Sequence, residues 1–504
     1  MLSTLLGMDL GTTSVRVLLV DTHGVVRGQA SASYPTVRPQ TGWTEQDPET
    51  WWQACRTAVG ELKAQGLLTD VKGVGLTGQM HGSVFLDHQC EVLRPAILWN
   101  DQRTAAEVAE IEERVGLRRL IALTGNRALT GFTAPKVLWL RRHEPANFCR
   151  LRHLILPKDY LRLRLTGEIA IDVADASGTL LFDVRARRWS DEVMRILELD
   201  EAILPAALES PAISGKVTAR VAADLGLPKG IPVVAGAGDQ AAGAVSVGAV
   251  STGLIMVSLG TSGVVFTSVA SPAIERQGRL HAFCHAAPGL WHVMGVTLAA
   301  GGSFAWLAST LGRKEKQLSD VAGSSPPGSN GLLFLPYLSG ERTPHADPLA
   351  RGAFVGLVDN HGLGDMARAV MEGVAFSLRD CLELIRGLRL PIEEMRLIGG
   401  GARSPLWRQI VADVFGMPVL GVETEKGPAY GAALLAGVGV GLWRDVPEAC
   451  RAAVRIAGRV EPQPSVVGRY EEMYSCYREL YPKLRTSFAA LHDLAASAPP
   501  TGAQ

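Results

Sequence analysis

GMDLGTTSVR at residues 7–16 and SLGTSG at residues 258–263 carry one short phrase twice. Leu10-Gly11-Thr12-Thr13-Ser14-Val15 and Leu259-Gly260-Thr261-Ser262-Gly263-Val264 are near copies, each lying between β-branched runs. Each copy predicts two strands joined by a tight Gly/Thr/Ser turn. A hairpin of this kind opening each half predicts two related domains, with their boundary near Val245–Val250. Only the first copy has an acid, Asp9, where the second has Ser258.

Working outward, further strands are expected at Val71–Leu76, Ser83–Leu86, Ile231–Ala235 and Met395–Ile398. Helical periodicity marks Pro48–Ala64, Gly364–Leu388, Pro405–Phe415 and Ala429–Val438. Strands alternating with helices imply an α/β architecture. SSPPGSNG (324–331) reads as a surface loop, and 495–504 as a frayed tail. The chain has 504 residues, enough for two large domains. The linear division expected is 1–246, 247–445 and a C-terminal helical extension at 446–504.

Lys+Arg and Asp+Glu balance at 50 each, which offers no electrostatic footprint for nucleic acid or an anionic membrane. The seven cysteines are scattered and form no CxxC pair, so neither a zinc site nor a disulfide framework is indicated. The N-terminus lacks the basic region and cleavage pattern of a signal peptide, and the apolar run at Ile231–Leu259 is broken by Asp239 and Gln240. A cytoplasmic protein is expected.

GVGLTG (73–78) matches GxGxxG, but its first glycines fall inside a predicted strand, so it is set aside as a dinucleotide motif. No GxxxxGK[ST] and no protein-kinase signature occurs. The hairpins supply another device for phosphate, because small residues let backbone N–H groups approach an anion and hydroxyls add donors. Thr12, Thr13, Thr261 and Ser262 are the donor candidates. Asp9 reads either as a strand-end acid satisfying turn amides or as an anchor for hydrated Mg²⁺. Asp239 in GAGDQAAG (236–243) reads either as an N-cap or as a functional acid, since an acid among small apolar residues is costly without a partner. GGGARS (399–404) is either a plain strand-to-helix loop or a nucleotide-binding turn at a helix N-terminus.

Ten segments in order resemble the FGGY carbohydrate kinases and, within them, the xylulokinases. They are GMDLGTTSVR (7–16), GLTGQMHG (75–82), WNDQR (99–103), PKDYLRLRLTG (157–167) and DASGTLLFD (175–183). GAGDQAAGAV (236–245), SLGTSG (258–263), PYLSGERTPHADPLARGAFVGL (336–357), GGGARSPLWRQIVADVFG (399–416) and AYGAALLAG (429–437) complete the set. The resemblance implies two actin-like (ribonuclease H-like) ATPase domains flanking a deep cleft, with sugar mainly on the first and ATP mainly on the second. It implies Asp239 as catalytic base, Asp9 with Asp239 at Mg²⁺, and Met80, His81, Asp239 and Gln240 at the sugar. Thr12, Thr13, Gly260, Thr261, Ser262, Gly301, Gly400, Gly401 and Ser404 are implied at ATP.

Trp99, Asp101 and Arg103 remain open between lining the pocket and direct contact. Glu341, Arg342 and His345 read as wall-building or interdomain residues. Gln240 departs from the Asn that follows the catalytic aspartate in many xylulokinases. Glycerol kinases share Asp-Gln but carry Arg-Glu where this chain has Met80-His81. The implied activity is phosphorylation of a ketopentose, D-xylulose first, with ATP and Mg²⁺. The implied partners are the small-molecule sugar and ATP, with no nucleic acid and no membrane, and a homodimer stays open. The rivals are kinase action on ribulose, L-xylulose or glycerol, and a non-enzymatic actin-like or chaperone-type ATPase.

Overall fold

A computed structural model of the chain describes residues 3–423 and 426–496. Strands β1 (Thr4–Leu10) and β2 (Ser14–Asp21) form the first hairpin, antiparallel and closed by the Gly11 N–H on the Ser14 carbonyl at 3.0 Å. β3 (Val26–Ser33) extends this sheet beyond β2, and β4 (Val71–Gly78) runs parallel on the other side of β1. β6 (Pro232–Val234) follows parallel to β4, and β5 (Ile213–Lys216) is antiparallel at the edge. The order is β5-β6-β4-β1-β2-β3.

The second sheet repeats this plan in six of its strands. β7 (Gly253–Leu259) and β8 (Gly263–Val269) form its antiparallel hairpin, with β9 (Trp291–Thr297) beyond β8. β10 (Ile392–Ile398) is parallel to β7, β11 (Val419–Val422) parallel to β10, and β12 (Ile456–Val460) antiparallel to β11. The order is β12-β11-β10-β7-β8-β9. The duplication visible as two short phrases thus extends to whole sheets.

The first sheet is apolar on both faces. Against one face packs α1 (Pro48–Ala64), begun by Pro48 and by an Asp47 cap that accepts the Glu49 N–H at 2.9 Å. Its Trp51, Cys55, Val59 and Leu62 recur at helical spacing and are fully buried in this core. Against the other face pack α4 (Asp239–Ser246) and α9 (Pro428–Gly439). Here the sheet is cut back to glycine: a Cβ at Gly7 or Gly75 would overlap the carbonyl oxygen of Ala429 or Ala432. The GxGxxG match lies within β4, and its Gly75 serves this helix contact.

Packing divides the chain into two units that interleave along the sequence. The first gathers Met1–Thr252, Ser268–Val293 and Thr424–Arg455, and the second Gly253–Thr267, Met294–Glu423 and Ile456–Gln504. These packing units are not linear segments, because α9 returns to the first sheet from the far end of the chain. In the second unit α7 (Leu363–Gly387) and α8 (Pro405–Phe415) pack together. α10 (Pro464–Ala496) lays a row of tyrosines on the unit, with Tyr470 donating to Glu372 and Tyr474 to Asp380, both at 2.6 Å. From residue 497 on, the expected tail lies outside the described residues. The 324–331 loop is partly internal: Ser325 donates to Asp365 at 2.6 Å and Ser329 to Glu372 at 2.9 Å. Among the described residues no helix is long and apolar enough to cross a membrane.

Candidate active site

In the first unit, Asp9 stands one residue before the end of β1 and Asp239 opens α4. Gly238, not Asp239, occupies the N-cap position, and Asp239 is the first helical residue, so the N-cap reading falls. Burial pushes Asp239 up to about 6, against the opposing hydrogen bonds of Gln240. Burial pushes Asp9 to about 7, and the Asp239 charge adds to the rise while Arg16 opposes it. Asp9 Oδ1 is buried with no hydrogen-bond partner. Two mutually repelling acids, one with an orphaned oxygen, fit a hydrated divalent cation that keeps most of its water and phosphate ligands. Among the described residues no cluster of three or more metal-ligating side chains exists, so an all-protein cage is not built here.

Beside these acids lie Met80 and His81. The short strand Ala237–Gly238 pairs with Thr77 and Gly78 at the end of β4, which delivers Asp239 next to the segment carrying both residues. The contact is close: a Cβ at Gly238 would meet Met80 Cγ at 2.7 Å. His81 lies in the left-handed region at φ 65° and is buried. Its Nδ1 is 2.8 Å from the Gly178 carbonyl, which can only accept, so Nδ1 carries the proton and Nε2 is the acceptor of the neutral ring. Gln240, half-buried, reaches Asp239 Oδ1 at 3.4 Å.

The first hairpin is held by side chains. Tyr34 donates to the Gly11 carbonyl, Gln46 to the Thr12 carbonyl at 2.7 Å, and Trp99 Nε1 to Thr12 Oγ1 at 3.0 Å. Thr13 is exposed. Asp101 accepts the Thr44 N–H at 2.6 Å and pairs with Arg103 at 2.7 Å, while Arg103 lies 3.7 Å over Trp43. Asp101 and Arg103 therefore tie loops together.

Two buried cations escaped the sequence reading. Lys136 hydrogen-bonds the His81 and Gly131 carbonyls at 2.8 and 2.7 Å. Lys158, on α2 (Pro157–Thr166), meets Asp159, Asp172 and Asp175 at 2.8, 2.7 and 2.8 Å. Asp175, on α3 (Val173–Ser177), also abuts Gly238, so this ionic knot braces the strand leading into Asp239. A lysine inside the apolar run TAPKVLWL was the available signal for the first. Nothing local marks the second, whose acids are spread along the chain.

The second unit holds a cavity of about 730 Å³, in the range of small-molecule sites. Gly260, Thr261, Gly301, Gly400, Gly401 and Ser404 all line it; Ser262 lies on the same hairpin and is not among its lining residues. The hairpin is held by backbone: its Gly260 carbonyl accepts the Gly301 N–H at 2.7 Å and its Thr261 carbonyl the Ala300 N–H at 2.9 Å. Gly301 opens α5 (Gly301–Thr310), and a Cβ there would stand 2.6 Å from the Gly260 carbonyl oxygen. Ser404 caps α8, placing that helix N-terminus at the cavity. Phe304, Met371 and Trp407 supply an apolar wall, and Lys316 and Arg403 supply cations. Glu341 is not in this cavity. It is buried and satisfied by Thr297 and by the Leu298 and Arg342 amides, and His345 stacks on Tyr481 at 3.6 Å.

Residues 4–246 match the N-terminal domain of the FGGY family of carbohydrate kinases, and residues 255–440 match its C-terminal domain. A xylulose kinase of Escherichia coli (strain K12) is 45% identical over 436 residues, 86% of this chain and 89% of that protein. A crystal structure titled as a "xyloylose kinase" from Brucella ovis is 40% identical with a TM-score of 0.91, covering 96% of this chain and 99% of that one. A gluconate kinase structure from Lactobacillus acidophilus has a TM-score of 0.92 at 27% identity, covering 97% of this chain and all of that one (100%). The duplicated sheets, the buried acids of the first unit and the cavity of the second now have a common frame. The chain belongs to the FGGY family of carbohydrate kinases, and is a sugar kinase of two actin-like, ribonuclease H-like domains.

Proposed function

We propose that this sugar kinase transfers the γ-phosphoryl group of ATP to O5 of a ketopentose, D-xylulose, giving D-xylulose 5-phosphate and ADP. The observation that carries the reading is Met80 held against Gly238, the residue before the half-buried Asp239, with His81 next to Met80 in the chain. The 45% identity to a xylulose kinase favours the pentulose.

Asp239 accepts the O5 proton as O5 attacks the γ-phosphorus in line. An acid raised to about 6 is ionised at neutral pH and basic enough to take that proton. His81 Nε2 accepts a hydrogen bond from a sugar hydroxyl, and Gln240 adds amide donors beside the reacting oxygen. Asp9, with Asp239, would hold Mg²⁺, whose charge stabilises the phosphoryl oxygens. Thr12, Thr13, Thr261 and Ser262 give each hairpin donors for the phosphate chain. Gly301, Gly400, Gly401 and Ser404 leave room for the nucleotide, whose base suits the wall of Phe304, Met371 and Trp407. The linear halves 1–246 and 247–445 are proposed as the sugar and nucleotide halves.

A panel of pentuloses, hexuloses, glycerol and gluconate with MgATP tests the proposal. The expected outcome is the highest kcat/KM for D-xylulose and ATP turnover that depends on added sugar. A hexulose, glycerol or gluconate that outperforms every pentulose would defeat the pentulose assignment and leave the family untouched. Sugar-independent turnover would favour an ATPase role.

A further inference from the structure

Burying an ammonium group is costly, so its neighbours show what it holds in place. Lys136 lies on the helix Thr133–His143, fully buried, with its hydrogen bonds on two backbone carbonyls, His81 at 2.8 Å and Gly131 at 2.7 Å. Thr133 Oγ1 also donates to the His81 carbonyl, at 3.2 Å. His81 itself adopts φ 65°, a conformation a non-glycine residue keeps only where its surroundings over-determine it.

The surroundings do so from separate sides. The ring is fixed through Nδ1 to the Gly178 carbonyl and packs on Phe132 at a centroid distance of 4.5 Å. Gly178 has no Cβ, and one would lie 2.8 Å from His81 Cε1. The backbone is fixed by Lys136 and Thr133. The other end of the clamp matters too. Gly131 is pressed so close to Trp99 that a Cβ would overlap the Trp99 carbonyl, and the Trp99 indole donates to Thr12 on the first hairpin. One buried lysine amino group thus ties the loop bearing His81 to the Gly131 carbonyl.

We propose that Lys136 is a positioning residue for sugar phosphorylation, clamping the His81 and Gly131 carbonyls so that the left-handed turn presents His81 Nε2 to a sugar hydroxyl. The inference rests on the reading of His81 as a sugar contact. A lysine that only filled the core would affect both substrates alike; a clamp on His81 acts on the sugar. Arginine is not equivalent, because its planar fork cannot place one compact charge between two carbonyls.

The test is steady-state kinetics with D-xylulose and MgATP on Lys136→Met, Lys136→Arg, His81→Ala and the Lys136→Met/His81→Ala double variant. Lys136→Met is expected to raise the sugar KM ~10-fold or more while the MgATP KM stays within about threefold. Lys136→Arg should fall between it and the parent. The double variant should be no worse than His81→Ala, because the clamp has nothing left to aim. Additive losses, or equal rises in both KM values, would overturn the proposal. If Lys136→Met does not fold, Lys136→Arg decides. A sugar KM raised about threefold supports the clamp, and parent-like kinetics overturn it. A normal sugar KM in His81→Ala would remove the sugar-contact reading and the clamp with it. A large His81→Ala effect beside a parent-like Lys136→Met would overturn the clamp alone.

Discussion

Gly11–Thr13 and Gly260–Ser262 close equivalent hairpins, yet they are supported in opposite ways. The first is gripped by side chains from elsewhere in its unit, Tyr34, Gln46 and Trp99, and follows the acid Asp9. The second uses its own carbonyls to seat the amides of 300–302, follows Ser258, and opens on a cavity with glycine and apolar walls. A duplicated scaffold has kept its backbone plan and divided the chemistry. The acids Asp9 and Asp239 belong to the unit of the first hairpin, and the second hairpin is shaped for close backbone approach.

The sharpest way to break this division is to remove the charge where it should matter most. Asp239→Asn keeps the side-chain volume but cannot take a proton, so kcat is expected to fall at least ~10²-fold with nucleotide binding retained. Steady-state kinetics with a nucleotide-binding control checks it, and a folded variant within about tenfold of the parent would end the general-base role.

The second copy should respond differently. Ala305 lines the cavity and is half-buried, so Ala305→Leu crowds the proposed nucleotide cavity alone. A cost of about 1.4 kcal/mol from overpacking corresponds to a roughly tenfold rise in the MgATP KM. The sugar KM should stay near the parent's; equal effects on both substrates would blur the division.

A third outcome concerns pH. The proposed base works ionised, and burial has moved Asp239 to about 6 and Asp9 to about 7. Activity should therefore decline as pH falls through about 7 to 6, well above the usual carboxylate range. A kcat/KM profile flat down to pH 5 would contradict this.

The smallest effect is on stability. A carboxyl whose folded value is raised costs stability once pH exceeds the unfolded value of about 4, and the cost is complete above the folded value. Without Mg²⁺, Asp9→Asn should melt about 1–2 °C above the parent at pH 8, with the gap closing toward pH 4. Loss of stability at pH 8 would mean that the Asp9 carboxylate is satisfied by the fold after all.

Much of this was legible in residue order. The two GT[TS] phrases foretold both hairpins, and the predicted strand at Val71–Leu76 became β4. Local pattern suffices there, because alternating strands and tight turns are local events. The Lys136 bond to the His81 carbonyl was not legible, since the two lie 55 residues apart in sequence and meet only after packing. The return of α9 was hidden for the same reason: AYGAALLAG reads as a helix, but nothing in it says which sheet it covers.

That return has a consequence for synthesis. The glycine trench at Gly7 and Gly75 leaves the ribosome long before the helix that fills it, Pro428–Gly439. A nascent first unit must therefore wait, with Leu5, Leu18 and Val20 unroofed, until residues near 439 emerge. Residues 1–252 expressed alone would present that open trench to every other chain in the cell, a natural client surface for a holdase chaperone.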